Sequence, residues 1–142
     1  MATRELISEN EVTTETLVAL FERAFYKVQV DSDGDVVITV DGNIVYVSVI
    51  ENLNLLRYVT VFQVRESVST ESKLALVNHL NDDYILCRFS IYEQQPDLLI
   101  ADYYLSFEKG ITAFQIVTSL RLFARVAPDA VRNNNESGMI EL

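Results

Sequence analysis

The sequence predicts an α+β domain: an antiparallel sheet of about six strands packed with three helices, in the order α-ββββ-α-ββ-α. Three observations carry this. Residues 70–127 read as helix, strand, strand, helix. Residues 57–65 (RYVTVFQVR) alternate as a strand does, with Tyr58, Thr60, Phe62 and Val64 pointing one way and Val59, Val61 and Gln63 the other. Asp-Gly pairs separate short β-branched runs between residues 26 and 50, and such runs grouped together favour antiparallel neighbours over helix-crossed parallel ones.

Residues 1–12 are polar and are expected as a flexible N-terminal segment. A first helix is expected over 14–25, capped by the hydroxyl of Thr13 or Thr14. Leu17, Leu20, Phe21, Ala24 and Phe25 form its apolar stripe, opposite Glu15, Glu22 and Arg23. Strands follow over 26–30, 36–40 and 44–50, with turns at 31–35 and 41–43, because glycine accepts positive φ at little steric cost. Residues 53–56 read as a short connector before the strand 57–65. A second helix covers 70–81, with Leu74, Val77 and Leu80 at helical spacing and Asn81-Asp82-Asp83 as its stop.

Residues 85–91 and 98–107 are apolar and aromatic runs of strand composition, joined by the turn Gln94-Gln95-Pro96-Asp97. Gly110 ends the second of them. An amphipathic helix is expected over 112–127, and Pro128 marks its end. Residues 13–131 thus form one domain, and 132–142 are expected as a flexible C-terminal tail.

The hydrophobic share of 49% builds a substantial core in a chain of 142 residues, and the 23% of charged residues covers its solvent face. The net charge of −10 opposes binding to a phosphate backbone, and no cluster of Lys and Arg offsets it, so no nucleic-acid partner is expected. No apolar run approaches the ~18 residues of a membrane span, so no membrane partner is expected. The N-terminal stretch lacks the apolar core and basic start of a signal peptide, and a cytoplasmic location is expected. The single cysteine excludes an intramolecular disulfide.

Motifs that carry chemistry fail on spacing. The turn Asp31-Ser32-Asp33-Gly34-Asp35 suggests calcium, but its glycine falls too early for a calcium loop, and strands flank it. His79 and Cys87 are the only residues of their kinds, too few for zinc. As a nucleophile and base they are a pair on paper, set against a Cys87 that packs as a small hydrophobe in an apolar strand. No phosphate-binding glycine loop and no nucleophile elbow occurs. No cofactor is expected, and the chain reads as a non-enzyme. The alternative is a carboxylate-based site in which Asp102 converges with His79 or Asp83.

Partner binding is expected at Asn78, Asn81, Arg88, Asp102, Tyr103 and Tyr104. Asn78 and Asn81 share a helix face, and their amides can also serve the helix end or the first residues of the next strand. Arg88 stands inside an apolar strand. It pairs with Asp102 if the two strands form a hairpin in suitable register, or with a partner's carboxylate. The alternation Ile100, Asp102, Tyr104 places Asp102 on the solvent face of a half-exposed strand.

Three short motifs, in order, resemble the YbjN family, which is itself similar to type III secretion chaperones. They are the helix end Leu76-Val77-Asn78-His79-Leu80-Asn81, the strand Cys87-Arg88-Phe89, and Glu108-Lys109-Gly110-Ile111-Thr112 opening the last helix. The turn Asp33-Gly34-Asp35 fits as well, and the likeness spans residues 12–131. The resemblance implies a type III secretion chaperone-like sheet-and-helix fold, a cytoplasmic location, often a homodimer, and a regulatory role in sensory transduction, stress or virulence without an established enzymatic activity.

A homodimer is also expected from supply and demand of apolar surface. Three helices cover one face of a six-strand sheet, while the runs 36–38, 44–50 and 98–100 are apolar on both faces. Tyr103 and Tyr104 are expected at that seam, with a further protein or peptide partner binding elsewhere.

Overall fold

The computed structural model describes residues 6–142. The first half of the chain forms β1 (Leu6–Ile7), α1 (Thr14–Arg23), β2 (Val28–Val30), β3 (Val36–Val40), β4 (Asn43–Ile50) and β5 (Leu55–Val64). The second half forms α2 (Thr70–Asp83), β6 (Arg88–Ile91), β7 (Leu98–Ser106), β8 (Ile111–Thr112), α3 (Ala113–Asn133) and β9 (Ile140–Glu141). The main sheet runs β2-β3-β4-β5-β7-β6, with β9 added alongside β5, and its pairings are antiparallel. The predicted α+β order therefore holds for the three helices and six main strands, and the two-residue strands β1, β8 and β9 add to it. A separate two-stranded ribbon, β1 with β8, ties Leu6 to Thr112 and Ile7 to Ile111.

Local chemistry explains the turns. Asp41 and Gly42 both take positive φ, 49° and 84°, the turn that matches strand twist, and Val40 pairs with Asn43 across it. The Asp31 carboxylate accepts from the Asp33 and Asp35 backbone N–H groups at 3.0 and 2.9 Å, which engages it in closing its own turn. The Thr13 hydroxyl caps α1 by accepting from the Thr16 N–H at 3.2 Å.

All three helices feed one cluster on one face of the sheet. Leu17, Leu20 and Phe21 of α1, Leu76 and Leu80 of α2, and Ile116, Leu120 and Phe123 of α3 meet Ile38, Val45, Tyr58, Phe89 and Leu99 there. Tyr58 is fully buried, and its hydroxyl donates to the Ile116 carbonyl oxygen at 3.0 Å with the Ser119 hydroxyl 2.8 Å away. Burial pushes this phenol above its usual range. The alternate residues of the strands point away from that cluster: Val37, Tyr46, Arg57, Val59, Val61, Ile100, Asp102 and Tyr104.

Several boundaries differ from the expected ones. Phe25 does not extend the stripe of α1. It has φ 70° and is 96% exposed, because the helix closes at Arg23 and the chain must reverse into β2. The second helix passes its expected stop and ends at Asp83, and the following strand begins only at Arg88, leaving Ile85 fully exposed. The expected connector 53–56 is instead a turn of 3-10 helix, Glu51–Leu53, followed by the start of β5.

The last helix continues through Pro128 to Asn133. Pro128 has no N–H for the carbonyl one turn earlier, and that carbonyl, on Ala124, accepts instead from the Asn43 side-chain amide at 3.4 Å. The tail expected over 132–142 returns to the sheet. Ile140 is buried and pairs with Val64, while Glu141 pairs with Gln63. Within the segment expected as flexible at the other end, Val12 is buried in the core, whereas residues 1–5 lie outside the described residues.

Candidate functional site

On the face away from the helices, three strands bring together Arg57, Asp102, Arg88 and Tyr104. The register sets this directly. Asp102 of β7 lies opposite Arg88 of β6 and Val59 of β5, and Tyr104 lies opposite Arg57. Arg88 grips Asp102 with a two-point fork, Nε to Oδ1 at 3.1 Å and Nη2 to Oδ2 at 2.8 Å. Arg57 adds Nε and Nη2 to Oδ2 at 3.2 and 2.9 Å. Both guanidinium carbons stand 5.8 Å from the centre of the Tyr104 ring, within cation–π range.

Asp102 lies on the face that the alternation predicts, but it is 1% exposed there, because the arginines cover it. A buried carboxylate needs counter-charge and hydrogen bonds, and here two arginines supply both. The Arg88 side chain is 63% exposed and that of Arg57 is 32% exposed, so the arginines roof the acid and carry the site to the surface. Hydrogen bonds from Arg88 to Asp102, and the acid's charge, hold the Arg88 guanidinium above its ordinary pKa. Beside it, burial and then the Asp102 charge push the Cys87 thiol up to about 11. That thiol is a buried, protonated hydrophobe and no nucleophile at neutral pH.

A shallow depression of about 340 Å³ adjoins the cluster, lined by residues 85–88 and 102–104. Its walls combine the exposed Ile85, the Arg88 guanidinium and the Tyr104 ring. This arrangement offers a charged, hydrogen-bonding centre beside apolar surface, which suits recognition of an anionic group on a larger ligand.

The residues picked out from the sequence divide between the two faces. Arg88, Asp102 and Tyr104 come together. Tyr103 points to the helix side and stacks on Tyr58, with ring centres 5.9 Å apart and planes 29° apart. Asn78 stands exposed on α2. The Asn81 amide donates to the Phe89 carbonyl at 2.9 Å, and its oxygen accepts from the Phe89 N–H at 2.8 Å, which makes it a structural bracket on β6.

The alternative carboxylate site is not assembled. His79 and Asp83 face each other along α2 at 3.2 Å, and His79 also meets the Asn134 side-chain oxygen at 2.8 Å, while Asp102 is engaged by the arginines of the opposite face. Among the described residues, no group of three or more His, Cys, Asp and Glu converges to hold a metal. Arg57 is the member that sequence reading missed. It shares the parity of Val59 and Val61, and only the pairing of β5 with β7 brings it to Asp102, 45 residues away.

A family model described as "Putative bacterial sensory transduction regulator", YbjN, matches residues 13–132. No curated protein sequence matches the chain. Among solved structures, the crystal structure of YbjN from E. coli is similar, with a TM-score of 0.74 and 14% identity over 90% of this chain and 94% of that one. The chaperone–effector complex HopA1–SchA is similar with a TM-score of 0.59 and 14% identity, over 86% of this chain and 92% of that one. The Yersinia pestis type III secretion chaperone SycH, in complex with a fragment of YscM2, has a TM-score of 0.54 and 14% identity, over 84% and 97% of the two chains. Among the described residues, no helix is long and apolar enough to cross a membrane.

Proposed function

The chain belongs to the YbjN family, and we propose that it is a non-enzymatic cytoplasmic regulator that binds another protein on the uncovered face of its sheet. One observation carries this reading. A face holding Val37, Tyr46, Val59, Val61, Ile100 and Tyr104 surrounds a three-residue ion cluster, and the helices all pack on the other side. Val61 and Tyr104 are 39% and 40% exposed, and Ile44 is 50% exposed. Apolar surface around a central arginine pair is the usual make-up of a protein-binding patch. The solved chaperones of similar fold that hold protein partners support the same reading.

A homodimer is part of the proposal, with the apolar rows of β3, β4 and β5 as its seam. The test is affinity capture of proteins by the tagged chain from cells grown under several conditions, run beside a Tyr104→Lys variant. A partner enriched by the parent chain and lost with the variant is expected. No enriched partner under any condition refutes the binding reading.

A further inference from the structure

The direction of each backbone group along β7 follows from its neighbours. Odd-numbered residues turn toward β5: the Phe107 N–H donates to the Asn54 carbonyl at 2.8 Å, and the Asp97 carbonyl accepts from the Val64 N–H at 2.7 Å. Even-numbered residues turn toward β6: the Leu98 carbonyl accepts from the Tyr92 N–H at 3.0 Å. Pairing with β6 ends at Arg88 opposite Asp102. The two-residue period therefore presents the N–H and C=O groups of Tyr104 and Ser106 to an edge along which, among the described residues, no strand pairs. Residues 85–87 are bends outside the ladder and line the depression beside this edge.

Side-chain amides cap neighbouring edges at one residue each. The outward N–H and C=O of Phe89 on β6 are both taken by Asn81. Those of Ile140 on β9 are both taken by the Asn135 amide, at 2.9 Å each. The notch also has a charge of its own. Two arginines share one buried carboxylate, a surplus of one positive charge on a chain of net −10. Arg88 binds Asp102 through Nε and Nη2, and its half-exposed guanidinium keeps Nη1 for a further acceptor.

We propose that this notch takes an extended, acid-bearing peptide segment of a partner protein by strand addition to β7, with a peptide carboxylate on Arg88. The inference rests on the protein-binding reading above and names its location and ligand chemistry. Successive residues of the added strand face opposite sides. One set meets Arg88 and Tyr104, and the other meets Leu86, Cys87 and Tyr103. The segment that fits alternates acidic and apolar residues.

The test titrates the full chain, at neutral pH, into a capped fluorescein-labelled peptide of alternating valine and glutamate, and into its valine–lysine counterpart, by fluorescence anisotropy. Saturable binding of the glutamate peptide alone is expected. Arg88→Gln and Ser106→Pro should each weaken it by about tenfold or more. Neither variant should unfold the chain. Arg57 still pairs with Asp102 in the first, and the second removes an outward N–H and an exposed hydroxyl that accepts from the Glu108 N–H, so a cooperative melting transition well above the assay temperature is the control for both. Equal binding of the two peptides, or no binding of either, overturns the proposal. Binding indifferent to both variants also overturns it, while a partner captured by the open face keeps the broader reading. A dimer that Ser106→Pro converts to monomer, with no peptide bound, assigns the edge to a second copy and overturns it as well.

Discussion

Asp102 lies between two arginines at a depth where an unpaired carboxylate would cost several kcal/mol. Either arginine alone neutralises it, so the two are partly redundant. Arg57→Gln or Arg88→Gln should each lower stability by about 1 kcal/mol, as loss of one charged hydrogen-bonding partner does. The double variant should cost more than the two single changes together, because it strands the buried charge. Urea denaturation of the three variants checks this, and simple additivity would refute it. The Cys87 thiol offers a second residue-scale prediction. Its folded pKa is raised from 9.0 to about 11, so the fold favours the protonated form. The stability this contributes is complete below pH 9 and is lost as pH rises to about 11. The urea midpoint should fall across that window, and less steeply in Cys87→Ala.

Edge strands are the elements where this chain is most exposed to mispairing. On β6 a helix residue does the work of a neighbouring strand, because the two ends of the Asn81 amide match the two groups of Phe89. Asn81→Asp keeps the acceptor, loses the donor, and sets a negative oxygen against a carbonyl. It should cost about 1–2 kcal/mol and raise concentration-dependent association, read by sedimentation velocity. Elements with local causes were legible in the sequence. The Asp41-Gly42 turn needs only two residues that accept positive φ, and the stripe of α1 needs only spacing. Elements with distant causes were not. Nothing near Ile85 says that its apolar run leaves the sheet. Nothing near Pro128 says that Asn43, 81 residues earlier in the chain, serves the carbonyl it deprives. The same limit applied to the site: Arg88 and Asp102 were legible as a pair, but the burial of Asp102 and the role of Arg57 depend on a register that no single stretch encodes.

For the whole molecule, the sheet has one covered face and one open face, and the proposed homodimer uses the open one. Light scattering over a hundredfold dilution should give twice the chain mass of 16.1 kDa, and Val61→Glu should return it to that mass without unfolding the domain. A constant mass of 16.1 kDa at micromolar concentration would exclude the dimer. Removing residues 134–142 deletes the buried Ile140 and its pairing with Val64. It should cost about 3–5 kcal/mol, as loss of a core aliphatic side chain plus its ladder does, and calorimetry reads it.

The position of Ile140 also sets an order of events during synthesis. The strand it joins, β5, leaves the ribosome long before it, and every helix is already made when Ile140 is added. A nascent chain must therefore hold the Val64 end of β5 without its β9 partner until Ile140 emerges. Pairing of β5 with β9 is therefore a late step of folding, made by a segment synthesised after all three helices.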